Sequence, residues 1–373
     1  MGYIYMDYNA STPIAPEVKE TMLKLLDEAY GNPSASHWAG IPAKEAVEQA
    51  REETASLIGA SPEEIVFTSG GTESNNHVLK GIFHTYKEKG HIITSNAEHP
   101  AIQESCRYLE EQGAPVTFLG TDAYGRVDPA DVEAAITENT KLISIMHANN
   151  ETGSINPIEQ IAAVARRYNV FMHTDAAQSI GKIPVHVKDL DVDFLSIAGH
   201  KLYAPKGIGA LYIRSGNTLP SFMHGAGHEQ GRRAGTENVV LAAALGKACT
   251  LAAGADQTGL RHLRDDFWER LQKTFGNAVV LNGHPEKRLP NTLNVSFAGP
   301  AGQELLAEIP ELAASTGSAC HFGSVTLSPV LKAMGTDPEI GKGAIRFSLG
   351  RYSEKNDIIQ VTEKLENAMK RLS

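Results

Sequence analysis

The sequence predicts an α/β protein, with a large domain built on a mostly parallel sheet of seven strands and a smaller α+β domain. Apolar segments of strand length alternate with helix-length segments from residue 65 to residue 213, a pattern typical of parallel sheets with helices on both faces. After about Gly254 the alternation gives way to a long helical stretch and short strands. A chain of 373 residues is long enough for two such domains.

Two helices are predicted before the first strand. One covers residues 16–30, because a proline stands in its first turn and Gly31-Asn32-Pro33 ends it. The other covers about 42–58 and is ended by Gly59. The strands are predicted at 65–68, 91–95, 116–119, 142–146, 171–174, 194–197 and 209–213, with helices between most of them, for example 157–168. Ligands of such sheets bind at the carboxyl ends of the strands.

The C-terminal part of the chain has a different pattern. It is predicted to contain a helix over 260–275, short strands near 291–297 and 345–348, a Gly/Ser-rich loop, and a short helix over 328–335. We expect residues 15–254 to form the large domain, and residues 1–14 and 255–373 to form the small one.

Composition and charge argue against several classes of protein. The content of 42% hydrophobic and 21% charged residues is that of an ordinary folded protein. The net charge of −10 disfavours nucleic acid and anionic membranes as general partners. No apolar segment reaches the length of a membrane span, and the first residues lack the pattern of a signal peptide. We therefore expect a cytoplasmic protein with no membrane partner.

The three cysteines, Cys106, Cys249 and Cys320, are an odd number at irregular spacings. No disulfide framework or zinc motif follows from them, so a functional cysteine would be a single reactive thiol. Cys106 and Cys249 lie in apolar, helix-like segments and are predicted to pack in the core. No third ligand accompanies His224 and His228, so no metal site is predicted.

Three segments have features of a cofactor site. Residues 68–76 are small and polar, follow a strand and open a helix, so their backbone N–H groups could bind a phosphate. Asp175 and Lys201 each follow a different strand. When each feature is taken alone, the first segment is explained equally well as an ordinary Gly-rich turn, and Asp175 is explained better as a helix cap than as a cofactor contact. Together they are the three parts that pyridoxal phosphate requires: a phosphate site, a partner for the pyridinium nitrogen and a lysine for the aldehyde.

A series of segments in order along nearly the whole chain resembles one family. The segments are 6–13, 31–34, 68–76, 98–99, 149–153, 173–178, 199–203, 235–238, 317–320 and 346–351. In them the sequence resembles the cysteine desulfurase and selenocysteine lyase family of the class V aminotransferase superfamily. The resemblance implies the type I fold of pyridoxal-phosphate-dependent transferases and a homodimer with shared active sites.

The resemblance also implies roles for the matching residues. Lys201 matches the lysine that binds the cofactor covalently and later moves protons at the substrate Cα. Asp175 matches the partner of the pyridine nitrogen, and His99 matches the imidazole that stacks on the ring and shuttles a proton. The other cofactor contacts would come from Gly71, Thr72 and His200 at the phosphate, Asn150 and Gln178 at the ring, and Thr236 of the neighbouring subunit.

Two further residues would handle the substrate. Arg346 matches the arginine that binds the substrate α-carboxylate, with Asn150 beside it, and its planar guanidinium suits bidentate binding. Cys320 lies in a run of small residues that we expect to be mobile, and it matches the cysteine that takes up sulfur as a persulfide. The implied reaction converts L-cysteine into L-alanine and passes the sulfur to an acceptor protein or an iron–sulfur scaffold.

Two departures from the family pattern keep alternatives open. Ala198 stands where the family often has a serine that donates to the phosphate, so one hydrogen bond is lost or replaced. His321 resembles the Ala-Cys-His of selenocysteine lyases, so selenocysteine is an alternative substrate. A class V transaminase would leave the Cys320 segment without a use. A cofactor-binding but inactive scaffold for sulfur transfer is the last alternative.

Overall fold

A computed structural model of the chain describes residues 2–87, 90–316, 318–321 and 324–372, with side chains in all of these except 318–321 and 324–326. The helices are α1 (Pro16–Glu28), α2 (Ile41–Ile58), α3 (Gly71–Tyr86), α4 (Pro100–Glu111), α5 (Pro129–Ala135), α6 (Ile158–Arg167), α7 (Val187–Leu190), α8 (Val239–Ala253), α9 (Thr258–Phe275), α10 (Gly302–Ala307), α11 (Pro329–Ala333), α12 (Pro338–Gly341) and α13 (Lys355–Leu372). The strands are β1 (Ile4–Tyr5), β2 (Ile65–Thr68), β3 (His91–Ser95), β4 (Val116–Leu119), β5 (Thr140–Ser144), β6 (Phe171–Asp175), β7 (Phe194–Ala198), β8 (Gly209–Ile213), β9 (Val279–Asn282), β10 (Thr292–Phe297), β11 (Leu312–Ala313), β12 (Ser315–Thr316), β13 (Ser318–His321), β14 (Ser324–Leu327) and β15 (Ala344–Ser348).

The first two helices begin and end close to the predicted positions. α1 has Pro16 in its first turn, where the missing N–H costs nothing. α2 is followed by Gly59, whose φ of +66° is the left-handed conformation that glycine adopts without strain. The predicted helices near 157–168, 260–275 and 328–335 are also present, as α6, α9 and α11.

The predicted seven-stranded, mostly parallel sheet is confirmed. Its strand order is β2-β8-β7-β6-β5-β3-β4. β8 is antiparallel to both of its neighbours, and the pairs from β7 to β4 are parallel. The sheet therefore has one edge at which the carboxyl ends of β3, β5, β6 and β7 meet.

One strand lies two residues before its predicted position. β5 covers Thr140–Ser144 instead of residues 142–146. The N–H groups of Ile145 and His147 still donate to the backbone oxygens of His173 and Asp175 on β6, at 3.2 and 3.0 Å. On the side of β3, the N–H of Met146 donates to the carboxyl group of Glu98 at 3.0 Å instead of to a strand.

Helices cover both faces of the sheet. Ile65 and Phe67 of β2 pack in a core cluster that includes residues of α2, α6 and α8. Val66 packs on the opposite face with residues of α3 and α4. The alternation along β2 follows the two-residue period of a strand, and burial on both faces is usual for parallel sheets.

A second, antiparallel sheet has the strand order β12-β15-β10-β9. It packs with α9 and α13 around a separate core cluster that includes Phe267, Phe347 and Val361. Ile4 and Met6 from the N-terminal segment lie in the same cluster, and β1 pairs with β11. The domain boundaries 15–254, and 1–14 with 255–373, stay a prediction.

The segment with Cys320 differs from the loop expected there. β13 pairs with β14 as an antiparallel hairpin, in which Cys320 lies opposite Val325. Val325 and Thr326 are β-branched residues that favour strands, which explains why the Gly/Ser-rich composition does not leave the whole segment irregular. The expected mobility of this segment stays a prediction.

Among the described residues, no single helix is long and apolar enough to cross a membrane. Val239–Ala253 and Thr258–Ala278 meet that requirement of length and composition only as a pair, and the pair is bent by 75°.

Candidate active site

Three of the predicted residues lie at the carboxyl edge of the seven-stranded sheet. β6 ends in Asp175, Lys201 follows β7 in the short helical turn Gly199–Lys201, and His99 follows β3. Parallel strands bring their carboxyl ends to the same edge, so residues far apart in sequence become neighbours. They line a cavity of about 410 Å³.

Most of the predicted cofactor and substrate residues line this one cavity. They are Gly71, Thr72, His99, Asn150, Asp175, Gln178, His200, Lys201 and Arg346. Thr236 does not line the cavity of its own chain. The side chain of Cys320 lies outside the described residues.

Lys201 has an amine suited to react near neutral pH. Its Nζ donates to the backbone oxygens of Asn9 at 2.5 Å and Ala10 at 2.8 Å. The pKa of Lys201 is lowered from 10.5 to about 8, chiefly by burial and then by the positive charge of Arg346, against Asp175 and Asp7, which raise it. A lysine needs such a lowered pKa to act as a nucleophile or base.

Asp175 is buried and held by two donors. Asn75 Nδ2 donates to its Oδ2 at 2.7 Å, and the backbone N–H of Ala177 donates to its Oδ1 at 2.9 Å. Sequence reasoning missed Asn75, although a spacing of three residues places it on the same face of α3 as Thr72. The carboxylate is thereby oriented toward the cavity that it lines.

His99 is the residue at the N-terminus of α4, and its Nδ1 accepts from the backbone N–H of Ala101 at 3.1 Å. Burial lowers the pKa of His99, Asp175 raises it and Lys201 lowers it. Gln103 Nε2 bonds the backbone oxygens of Asn96 and Glu98, at 2.8 and 3.0 Å. The turn that carries the imidazole is therefore held in place.

Glu98, next to this histidine, was matched to the family without a role. It accepts from Ser95 Oγ at 2.8 Å and from the backbone of Met146 at 3.0 Å. The pKa of Glu98 is raised to about 8, chiefly by burial and also by Asp175, against the hydrogen bonds from Met146 and Ser95, which lower it. Its carboxyl group thus joins the ends of β3 and β5 beside the cavity.

The N-terminus of α3 forms one wall of the cavity and has the properties of an anion-binding site. Gly71 and Thr72 are its first two residues, and the first N–H groups of a helix have no partner within it. β8 can approach this turn because Gly209 lacks a Cβ, which would lie only 2.7 Å from Gly70 Cα. Ala198 lies at the same wall, and a Cβ on Gly71 would be 3.4 Å from that of Ala198.

His200 completes this wall. Its Nδ1 lies 3.4 Å from Ser11 Oγ. Burial lowers the pKa of His200 to about 4, with Lys201 and Lys206 adding to the effect. The ring is therefore neutral near pH 7 and can donate one hydrogen bond to an anion.

Arg346 comes from the other sheet, on β15. Its Nη1 donates to the backbone oxygen of Asn150 at 2.9 Å, and its Nη2 donates to Asp7 Oδ1 at 2.7 Å and Ser315 Oγ at 3.0 Å. Asp7 lies in a segment that resembles the family but had no assigned role. The guanidinium is thus oriented by three separate segments of the chain.

Comparison with known proteins identifies the family. The family model "Aminotransferase class-V" matches residues 4–361. "Cysteine desulfurase IscS" of Dictyoglomus turgidum is 45% identical over 375 residues, which cover 99% of this chain and 95% of the relative. The protein of the same name from Anaeromyxobacter sp. (strain K) is 47% identical over 362 residues, covering 95% and 89%.

The chain belongs to the cysteine desulfurase family of the class V aminotransferases. Solved structures of similar proteins agree with this fold. A "NIFS-LIKE PROTEIN" is 36% identical with a TM-score of 0.93, and the match covers 99% of this chain and 100% of that one. "SspA in complex with cysteine" is 39% identical with a TM-score of 0.84, covering 94% and 99%.

Two of the three cysteines of this family member are confirmed as core residues. Cys106 and Cys249 are fully buried. Burial raises the pKa of each thiol to about 12, so both remain protonated at neutral pH and are inert as nucleophiles.

No metal cluster is found in the part of the chain that the structure describes, where no group of three or more His, Cys, Asp or Glu side chains could hold an ion. His228 instead pairs with Glu237, with 2.8 Å between Nδ1 and Oε2. Both residues lie in the segment that also contains Thr236.

Proposed function

We propose that this cysteine desulfurase family member is a pyridoxal-phosphate-dependent enzyme that removes sulfur from L-cysteine, releases L-alanine and keeps the sulfur on Cys320 as a persulfide. One observation carries the proposal: an amine with a lowered pKa, a buried carboxylate, a helix N-terminus and an arginine face one cavity. The relatives named cysteine desulfurase, and the similar structure in complex with cysteine, support this substrate.

The residues of the cavity fit pyridoxal phosphate. The N-terminus of α3, with Gly71, Thr72 and His200, would hold the phosphate. Asp175 would pair with the protonated ring nitrogen, and Lys201 would bind the aldehyde carbon. When bound, the cofactor supplies an electron sink for the negative charge that develops at the substrate Cα. Ala198 has no side-chain donor for the phosphate, so the N-terminus of α3 and His200 would supply the hydrogen bonds.

Lys201 is the residue that moves the proton at the substrate Cα. With a pKa of about 8, roughly a tenth of its amines are neutral at pH 7, compared with fewer than one in a thousand for an ordinary lysine. The neutral amine takes the proton from Cα and returns it at a later step. His99 and Gln178 line the same cavity, where they would contact the cofactor ring, and His99 would shuttle a second proton.

Arg346 binds the substrate carboxylate through its guanidinium, and Asn150 lies beside it. A bidentate ion pair fixes the direction from which the substrate side chain enters. Asp7 and Ser315 hold the guanidinium from the other side. The arginine therefore orients the substrate with respect to Lys201.

Cys320 then attacks the substrate sulfur as a thiolate. A new S–S bond forms, and the substrate Cβ–S bond breaks with its electron pair going to Cβ, which takes up a proton. The net change is L-cysteine plus enzyme thiol to L-alanine plus enzyme persulfide. An acceptor protein, such as an iron–sulfur scaffold or a component of thio-cofactor synthesis, would take the sulfur from the hairpin of β13 and β14.

The proposed assembly is a cytoplasmic homodimer. Thr236 does not line the cavity of its own chain, which accords with its proposed place in the site of the neighbouring subunit. Ion pairs between Arg233 and Glu73 and between Arg51 and Glu229 connect the segment around Thr236 to the body of the chain. The proposed large domain, 15–254, would carry the cofactor, and the small one, 1–14 and 255–373, would carry Arg346 and Cys320.

The test is alanine release by the purified protein, with bound cofactor, from cysteine and from selenocysteine. We expect alanine from cysteine, and none from cysteine with the Cys320→Ala variant, which keeps its cofactor. Alanine from selenocysteine alone would make the protein a selenocysteine lyase. Amino-group transfer to a keto acid without sulfur release would indicate a transaminase, and no reaction with either substrate would favour an inactive scaffold.

A further inference from the structure

We propose that Lys182 is a positioning residue for Gln178: it holds the amide oxygen of Gln178, so that the amide nitrogen presents an N–H to the cofactor cavity. The inference rests on the proposed function, because it concerns the oxygen atom that the bound cofactor would place beside Gln178. Lys182 does not line that cavity, and no role was expected for it from the sequence.

The contacts of Lys182 are unusual for a lysine. Its Nζ donates to Gln178 Oε1 at 2.8 Å and to Asn9 Oδ1 at 3.3 Å. Among the described residues no carboxylate forms an ion pair with it. Burial lowers the pKa of Lys182 well below its ordinary value, and the charges of Lys201 and Arg346 lower it further. Lys182 is half-buried, and an amine placed near two cations without a carboxylate partner is costly, so packing of its stem does not explain the residue.

Both amide groups that Lys182 contacts have a defined orientation. Gln178 Nε2 donates to the backbone oxygen of Asn9 at 2.9 Å, so Gln178 Oε1 must face Lys182. Asn9 Nδ2 faces the backbone oxygen of Asn150 at 3.3 Å, so Asn9 Oδ1 must face Lys182 as well. Asn9 Oδ1 also accepts from Asn291 Nδ2 at 2.9 Å, whereas Gln178 Oε1 accepts from Lys182. A neutral amine has two hydrogens and an ammonium three, so Lys182 satisfies both in either protonation state.

The contact of Lys182 with the amide oxygen of Gln178 affects the cavity through the amide nitrogen of Gln178. The NH₂ group of Gln178 has two hydrogens, of which the backbone oxygen of Asn9 takes one. That same carbonyl accepts from Lys201 Nζ at 2.5 Å. The second hydrogen is available to the cavity that Gln178 lines. Without Lys182 the amide oxygen would lose its donor, and the amide could turn its oxygen toward the cavity.

A donor at this position stabilises a negatively charged oxygen on the cofactor ring, whereas an amide oxygen would repel it. The ionisation of the bound cofactor therefore reports which end of the amide faces it. This readout does not depend on turnover, so it separates a positioning role from a general loss of activity.

The experiment compares wild type with Lys182→Met, which has a stem of similar length and no donor. The holoenzyme is titrated with acid and base while the visible absorption of the cofactor is recorded. We expect the midpoint in Lys182→Met to rise by about one pH unit, because one hydrogen bond to a charged group is lost. The matched control is Lys188→Met, an exposed lysine on α7, whose midpoint should equal that of wild type.

The decisive comparison is the double variant. In a Gln178→Ala background, Lys182→Met should shift the midpoint no further, because Lys182 acts through Gln178. An equal shift in both backgrounds would show that Lys182 acts through its own charge, and it would overturn the proposal, as would an unchanged midpoint in Lys182→Met.

A second variant covers the case in which Lys182→Met fails to fold. Lys182→Arg keeps donors for both amide oxygens and should keep the wild-type midpoint; a full shift in that folded variant also contradicts the proposal. If the wild-type protein releases alanine and the Lys182 variants have the same titration midpoint as the wild type, only this inference is overturned. Wild-type protein that takes up no cofactor would overturn the proposed function as well.

Discussion

The two walls of the cavity are built in different ways. The wall from the seven-stranded sheet has Lys201, Asp175 and His99 at the ends of parallel strands, where one sheet edge brings them together. The opposite wall has Arg346 within the antiparallel strand β15, oriented by Asp7, Asn150 and Ser315 from three distant segments. We infer that cofactor chemistry depends on one sheet, whereas substrate binding depends on how separate segments assemble. Variants of the two walls should therefore fail differently.

The largest effect is expected at the sheet edge. Lys201→Ala removes the amine that binds the cofactor and moves the Cα proton, so turnover should fall by at least about 10³-fold. Cofactor should still bind non-covalently, because Asp175 and the N-terminus of α3 remain. Alanine release and cofactor absorption are measured beside Lys188→Ala, in which an exposed lysine is removed. Residual turnover above a tenth of wild type would contradict the role of Lys201.

Arg346→Gln tests the opposite wall. Loss of charge-assisted hydrogen bonds to the substrate carboxylate should raise the KM for cysteine by about 10²-fold, with a smaller change in kcat. The matched control is Arg351→Gln, since Arg351 is exposed and lies over the ring of Tyr203, 5.2 Å from its centroid. An unchanged KM with a reduced kcat would indicate that Arg346 acts in the chemical step and not in substrate binding.

A pH profile tests whether the two walls are electrically coupled. The pKa of Lys201 is lowered to about 8, and covalent capture of an aldehyde needs the neutral amine. The rate of covalent cofactor uptake by cofactor-free protein should rise with pH and level off above about 8. Because Arg346 lowers this pKa, Arg346→Gln should move the curve to higher pH. A wild-type midpoint near 10.5, or a variant curve moved to lower pH, would contradict the coupling.

The smallest effect is expected away from both walls. Cys249→Ala removes a fully buried thiol and should lower the free energy of unfolding by about 1 kcal/mol, measured by denaturant titration. Alanine release should not change, because burial raises the pKa of this thiol to about 12 and it carries no sulfur. Loss of persulfide formation in Cys249→Ala would show that Cys320 does not act alone.

The sequence could predict those parts of the site that depend on residues close to one another in the chain. The strand before Asp175, the glycines at Gly70 and Gly71 and the turn at Lys201 each leave a local signature in residue type and spacing. The resemblance to a family added Arg346, which has no local signature of its own. The sequence did not show that Glu98, more than 40 residues before Met146, accepts from the N–H of Met146 at the end of the strand predicted at 142–146.

The sequence by itself determined the alternation of strands and helices, and therefore the sheet edge at which Asp175 and Lys201 meet. Local periodicity and turn residues act over a few positions, so they can be read without the fold. Only the tertiary structure decided which polar groups support that edge: Asn75 on Asp175, Asp7 on Arg346 and Lys182 on Gln178. Two of these contacts join residues at least 100 positions apart, and the third involves an amide that also donates to the backbone oxygen of the distant Asn9. Hydrogen bonds of this kind are selected by packing and burial, which a single sequence does not display.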